Sequence, residues 1–75
     1  MYVLIQHSGS QMHTQWVSNM IHFIESEFGG TAEAVVGHGD DPNIYVFDEN
    51  GDITATFDHQ PTDYELRFNL MGDDD

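Results

Sequence analysis

Ile44-Tyr45-Val46-Phe47-Asp48-Glu49-Asn50-Gly51-Asp52-Ile53-Thr54-Ala55-Thr56-Phe57 is the stretch from which the fold is read. Two runs of β-branched and aromatic residues flank Asn50-Gly51, the dipeptide best suited to the positive φ values of a two-residue type I′ turn. Closing a hairpin on that turn pairs Val46 with Ala55 and Ile44 with Phe57 on one face. It pairs Tyr45 with Thr56 and Phe47 with Thr54 on the other, so each face is chemically coherent. The apolar face requires a cover.

That cover lies upstream. From Gln11 to Phe28 the apolar spacing is helical: Met12, Trp16, Val17, Met20, Ile21, Phe23, Ile24 and Phe28 fall on about half of the circumference. His13 and Glu27 interrupt this arc near its ends. Ser10 is a suitable N-cap and Gly29-Gly30 a strong stop. Tyr2 to Gln6 before the helix and Thr31 to Val36 after it are predicted strands, and Gly37 to Asn43 is rich in turn residues. Beyond the hairpin, Tyr64, Leu66, Phe68 and Leu70 alternate with Glu65, Arg67 and Asn69, which predicts a half-buried last strand. Gly72-Asp73-Asp74-Asp75 is an acidic tail expected to fray.

The expected fold is therefore α+β in the order β-α-β-β-β-β, a single acidic domain over residues 1–75. One amphipathic helix packs on one face of a four- to five-stranded, mainly antiparallel sheet. The pattern leaves open whether the first strand lies parallel beside the second or antiparallel on the last. The uncovered face would show Tyr45, Phe47, Thr54, Thr56, Glu65, Arg67 and Asn69, a candidate surface for a partner or for a homodimer.

Charge is the outlier. Arg67 is the only Lys or Arg residue, against fourteen Asp and Glu, for a net charge of −13 over 75 residues. A compact chain of this length has a radius of gyration of roughly 11 Å and a diameter of about 30 Å. Duplex DNA of that length carries about 17 or 18 phosphates, so the charge densities are similar. With the elements threaded, Glu25, Glu27, Glu33, Asp48, Glu49, Asp52, Asp73, Asp74 and Asp75 gather at the pole where the helix ends, with no base expected there. Asp40, Asp41, Asp58, Asp63 and Glu65 lie toward the other pole. No acid precedes Glu25.

Chemical motifs are sparse. The five histidines (His7, His13, His22, His38 and His59) form no HxH or HxxxH pair, and His38 with Asp40 and Asp41 is the best cation candidate among weak ones. Asp48 to Asp52 has some of the acids of a calcium loop, but its glycine comes too early and the closing bidentate acid is missing. Ser8 and Ser10 lie near His7 without an elbow or oxyanion-hole signature. No enzyme activity, metal or cofactor is expected. Without cysteine there is no disulfide or thiolate site, and no leader or long apolar run points to export or a membrane, so the expected setting is the cytoplasm.

Direct binding to nucleic acid is excluded by charge, since a single Arg cannot neutralise a phosphate backbone. In composition and size the chain resembles the acidic inhibitors that phages and mobile elements use against restriction, CRISPR, repair or polymerase machinery. That resemblance implies a DNA mimic acting in the host cytoplasm on a basic nucleic-acid-binding protein. It carries no residue roles, and the candidate partner-binding set is read from placement: Glu25, Glu27, Tyr45, Phe47, Asp48, Glu49, Asp52, Asp73, Asp74 and Asp75. The alternative is a salt-adapted or oligomeric adaptor protein without mimicry.

Overall fold

The computed structural model describes residues 1–37 and 39–71. Its elements are β1 (Tyr2–His7), α1 (Gln11–Phe28), β2 (Thr31–Val36), β3 (Ile44–Phe47), β4 (Ile53–Phe57) and α2 (Asp63–Met71). The fold is α+β, with the long helix packed on one face of a four-stranded sheet ordered β2-β1-β3-β4. The first strand is central. It pairs in parallel with β2, as in any β-α-β unit, and antiparallel with β3. Its alternation explains the position, because Val3 and Ile5 are buried against the helix while Leu4 and Gln6 lie on the reverse face.

Helix α1 is set at both ends by its sequence. The Ser10 hydroxyl accepts the His13 N–H at 3.0 Å. Gly29 takes the left-handed conformation at φ 69° and donates its N–H to the Glu25 carbonyl at 3.2 Å. The buried stripe is His13, Val17, Met20 and Ile24. His13 therefore belongs to the apolar stripe rather than interrupting it, and its burial is made tolerable by the Ser8 hydroxyl, 2.9 Å from Nδ1.

The hairpin keeps three of its four expected pairs: Ile44 with Phe57, Tyr45 with Thr56, and Val46 with Ala55. The fourth slips, so that Phe47 faces Ile53 across an irregularity after Val46. The turn is wider than the two-residue type. Gly51 alone has a positive φ, at 85°; its N–H reaches the Asp48 carbonyl at 3.0 Å, and the Asp48 N–H reaches the Asp52 carbonyl at 2.9 Å. The cause is the Asp48 carboxylate, whose Oδ1 accepts the N–H groups of both Asn50 and Asp52 at 2.9 Å. That Asx-type clamp favours a three-residue loop and the bulge that accompanies it.

The last element corrects the expectation of a strand: Asp63–Met71 is a helix. Thr62-Asp63-Tyr64-Glu65 forms a capping box, with Glu65 N–H donating to Thr62 Oγ1 at 3.1 Å and Thr62 N–H donating to Glu65 Oε1 at 2.9 Å. The spacing that suggests a strand resolves into two i,i+4 pairs. Leu66 is buried in the core and Leu70 packs against it, while Tyr64 and Phe68 stack on each other outside.

Leu66 shares one cluster with Ile5, Ile24, Val46 and Phe57, so both helices lie on the same sheet face. Among the described residues no element covers the reverse face, which bears Leu4, Gln6, Tyr45, Phe47 and Thr56. Glu65, Arg67 and Asn69, expected on that face, belong to α2.

Candidate functional site

Strand direction fixes where the carboxylates go. The strands β1 and β2 run toward one pole and α1 runs back, so the end of α1, the start of β2 and the β3–β4 turn share a pole. Glu25, Glu27, Glu33, Asp48, Glu49 and Asp52 lie there. Asp40, Asp41, Asp58, Asp63 and Glu65 lie toward the other. Asp73, Asp74 and Asp75 fall outside the described residues, as does His38, so the described carboxylates divide six against five. The molecule is acidic at both poles, with acid-free β1 and the first four turns of α1 between them.

Several carboxylates have intramolecular partners. Glu25 Oε2 accepts the Ala32 N–H at 3.4 Å, tying the end of α1 to β2. Glu27 holds Arg67 at 3.2 Å, and the guanidinium also sits 5.6 Å from the Phe23 ring centre. The expectation of a pole without a base is thereby corrected: α2 delivers the chain's only guanidinium to the last turn of α1. Asp48 clamps its own turn. Tyr45 turns its hydroxyl to Asp41 Oδ2 at 3.0 Å, which fixes its ring on the open sheet face beside half-buried Phe47. Among the described residues Glu33, Glu49 and Asp52 make no side-chain hydrogen bond or ion pair.

The site residues read from sequence therefore form two groups. Glu25 and Glu27 share a pole with Asp48, Glu49 and Asp52, with Glu25 turned to β2 and Glu27 to Arg67 of α2. Tyr45 and Phe47 belong to the open face. Beside the turn, a shallow recess of about 260 Å³ is lined by Met1, Tyr2, Val3, Asp48, Glu49 and Leu70. Its lining, completed by Asn50 and Thr54, mixes apolar residues with polar ones, a tyrosine and two acidic residues. Tyr2 and Leu70 escaped the sequence reading because the recess needs α2 in place as a helix.

At the other pole His59 is the counter-charge. Its Nδ1 lies 2.9 Å from Asp58 Oδ1 and its Nε2 3.0 Å from Glu65 Oε2. The Asp58 carboxylate, and after it Glu65, holds the imidazole pKa above its ordinary value. Asp58 is held low chiefly by His59, and Glu65 chiefly by the Thr62 N–H and then by His59. His7 is shifted the opposite way, lowered by burial and then by neighbouring His13.

The Ser8–His13 contact brings a hydroxyl to an imidazole. Yet Ser8 Oγ also accepts the Ser10 N–H at 3.2 Å, and both side chains are buried. Their arrangement closes the loop ahead of α1. No helix among the described residues is long and apolar enough to cross a membrane. Compared with protein-family models, with curated proteins and with solved structures, the chain matches none.

Proposed function

We propose that the protein is a binding protein rather than an enzyme, an acidic mimic of nucleic acid that occupies the basic site of a DNA- or RNA-binding protein and inhibits it. The observation that carries this reading is the imbalance of charge on a small body. Eleven described carboxylates face one guanidinium, itself bound to Glu27, in a molecule of 36 × 23 × 18 Å. A duplex 36 Å long carries about 21 phosphates, against a net −13 here. Self-repulsion of this size works against folding, and an acidic surface is what a basic groove selects by steering and complementarity.

The recess beside the turn supports this reading. A lining in which apolar residues stand next to acidic ones suits a lysine or arginine, whose aliphatic stem packs while its cationic head meets a carboxylate. Asp48 has a further structural duty in the turn; Glu49 and Asp52 stand exposed beside it. Of the residues expected from sequence, Asp48 and Glu49 line the recess and Asp52 belongs to the same turn, while Tyr2 and Leu70 are additions.

Homodimerisation through the Tyr45/Phe47 face is opposed by the same charge. Two copies at a centre separation near the 18 Å thin dimension repel by about 4 kcal/mol at 0.15 M salt. A salt-adapted protein, by contrast, would fold cooperatively only in concentrated salt.

The deciding experiment starts with capture of partners from host-like lysate on the immobilised protein. Each captured protein is then loaded with a labelled duplex and titrated with this chain at several salt concentrations. Mimicry predicts displacement of the duplex, with an affinity that falls steeply as salt rises. Capture of only neutral or acidic proteins, or binding indifferent to salt, sinks the proposal.

A further inference from the structure

The two edges of the sheet are finished differently. On the β4 side the ladder to β3 is interrupted by the irregularity after Val46, and α2 packs against the strand. Among the described residues the β2 side shows no such interruption. Its Thr-Ala-Glu-Ala-Val-Val run pairs with β1 in unbroken register, and it contains no lysine or proline of the kind that blunts free edges.

The backbone of β2 can be assigned group by group. Thr31 N–H donates to the Met1 carbonyl at 2.9 Å and Gly37 N–H to the His7 carbonyl at 2.7 Å. Strand groups alternate in direction, so Thr31, Glu33, Val35 and Gly37 address β1. Ala32, Ala34 and Val36 address the outside. The outward Ala32 N–H meets the Glu25 carboxylate; the N–H groups of Ala34 and Val36 point past it. Val35 and Val36 are 41% and 67% exposed. A six-residue edge, about 20 Å long, therefore presents ordered backbone, exposed valines and two carboxylates, those of Glu25 and Glu33.

We propose that the outer edge of β2, with Glu25 and Glu33 beside it, docks an extended lysine- or arginine-bearing segment of the basic partner as a fifth strand. The inference rests on the reading that the partner is cationic. Main-chain bonds would supply the pairing and the two glutamates the selection for positive charge. A second copy of this chain would instead bring Glu25 and Glu33 of both molecules to one junction under a charge of −13 on each, so the cationic segment is the occupant that fits.

Proline separates this edge from the fold. At Ala34 it removes only an outward N–H and leaves the ladder to β1 whole, the arrangement in which edge strands accept proline. The probe is a blocked hexapeptide of alternating lysine and valine, with an analogue N-methylated on alternate amides and a glutamate–valine counterpart. Binding is read by fluorescence anisotropy, and amide exchange by NMR at Ala34 and Val36.

The lysine peptide is expected to bind and to slow both amides, and the glutamate peptide not to bind. Ala34→Pro, with an unchanged circular dichroism spectrum, is expected to weaken binding at least tenfold. The N-methylated peptide tests the same bonds in the unaltered chain and is expected to lose as much. Equal binding by the N-methylated peptide overturns the proposal. So does slowed exchange of the two amides in the protein alone through self-association, read by sedimentation. If Ala34→Pro displaces duplex from a captured protein as well as the wild type does, the edge assignment falls and mimicry stands. If no duplex is displaced while the peptide still docks, mimicry falls and the edge stands.

Discussion

Helices α1 and α2 lie on the same face of the same sheet and are held there by different means. The longer one is anchored by a buried stripe, Val17, Met20 and Ile24, and its last turn contains Glu25 and Glu27 without a basic residue of its own. Carboxylates at that end oppose the partial negative charge of the helix terminus. The shorter one buries Leu66 and relies on its first turn, where Asp63 and Glu65 complement the terminus and Thr62 and Glu65 cap it reciprocally. Arg67 then crosses from α2 to Glu27 and supplies α1 with the charge it lacks. Burial tolerates electrostatics that a nine-residue helix could not. The acids at the end of α1 oppose its terminus, and the Ala32 N–H and Arg67 offset that opposition.

The contrast can be broken most severely from the side of burial. Ile24→Ala removes a fully buried side chain under the sheet and is expected to cost about 3 kcal/mol. That is a large part of the roughly 4–11 kcal/mol available to a domain of this size, and urea unfolding would measure it. Thr62→Ala removes one half of the capping box. A loss of about 1 kcal/mol is expected, together with faster amide exchange at Leu66 and little change within α1; equal loosening of both helices would contradict the division of labour.

Glu25→Gln sharpens the comparison in the other direction. The amide keeps an acceptor for the Ala32 N–H while the charge is removed, so thermal unfolding should show a gain of about 0.3–1 kcal/mol. The log–log salt slope for partner binding should flatten by about one. Stability gained without change in that slope would mean that Glu25 does not meet the partner.

The smallest effect is the pH dependence around α2. The folded-state pKa of His59 is raised, so its contribution is complete below the ordinary value of 6.5 and fades as pH climbs through the raised value. Asp58 and Glu65 are lowered, so theirs is present above the ordinary carboxylate range and lost as pH falls. His7 is also lowered, but as a base it loses stability as pH drops below 6.5 toward its folded value. Melting curves of wild type and His59→Gln between pH 5 and 9 isolate the clamp. Their difference should be small near pH 6 and vanish at the alkaline end.

Much of this fold is legible from residues alone, for local reasons. Ser10 and Gly29 mark the ends of α1, and three cross-strand pairs of the hairpin follow from Ile44, Val46, Ala55 and Phe57 needing one face. The fourth pair does not follow, because Asp48 can clamp its own turn and a dipeptide rule for Asn50-Gly51 ignores that. Residues 64–70 mislead because a spacing of two is also half of a spacing of four; the decisive cue is Thr62 followed by Glu65 three residues later. Position along the chain indicates which pole receives each acid. It leaves unread that Glu27 is paired, that Tyr45 is tethered to Asp41, or that Tyr2 and Leu70 meet beside the turn, since those depend on α2 being helical.

The open edge of β2 has a consequence for the protein in bulk. Most soluble proteins keep such edges from meeting by geometry, with a bulge, a proline or an inward lysine. At β2 the separation is colloidal: mutual repulsion keeps one molecule's edge from another's. It is therefore conditional on solvent, and near the isoelectric point of about 4.1 it disappears. Mild acid, which leaves much of the core untouched, should turn a well-dispersed solution into one that grows sheets edge to edge.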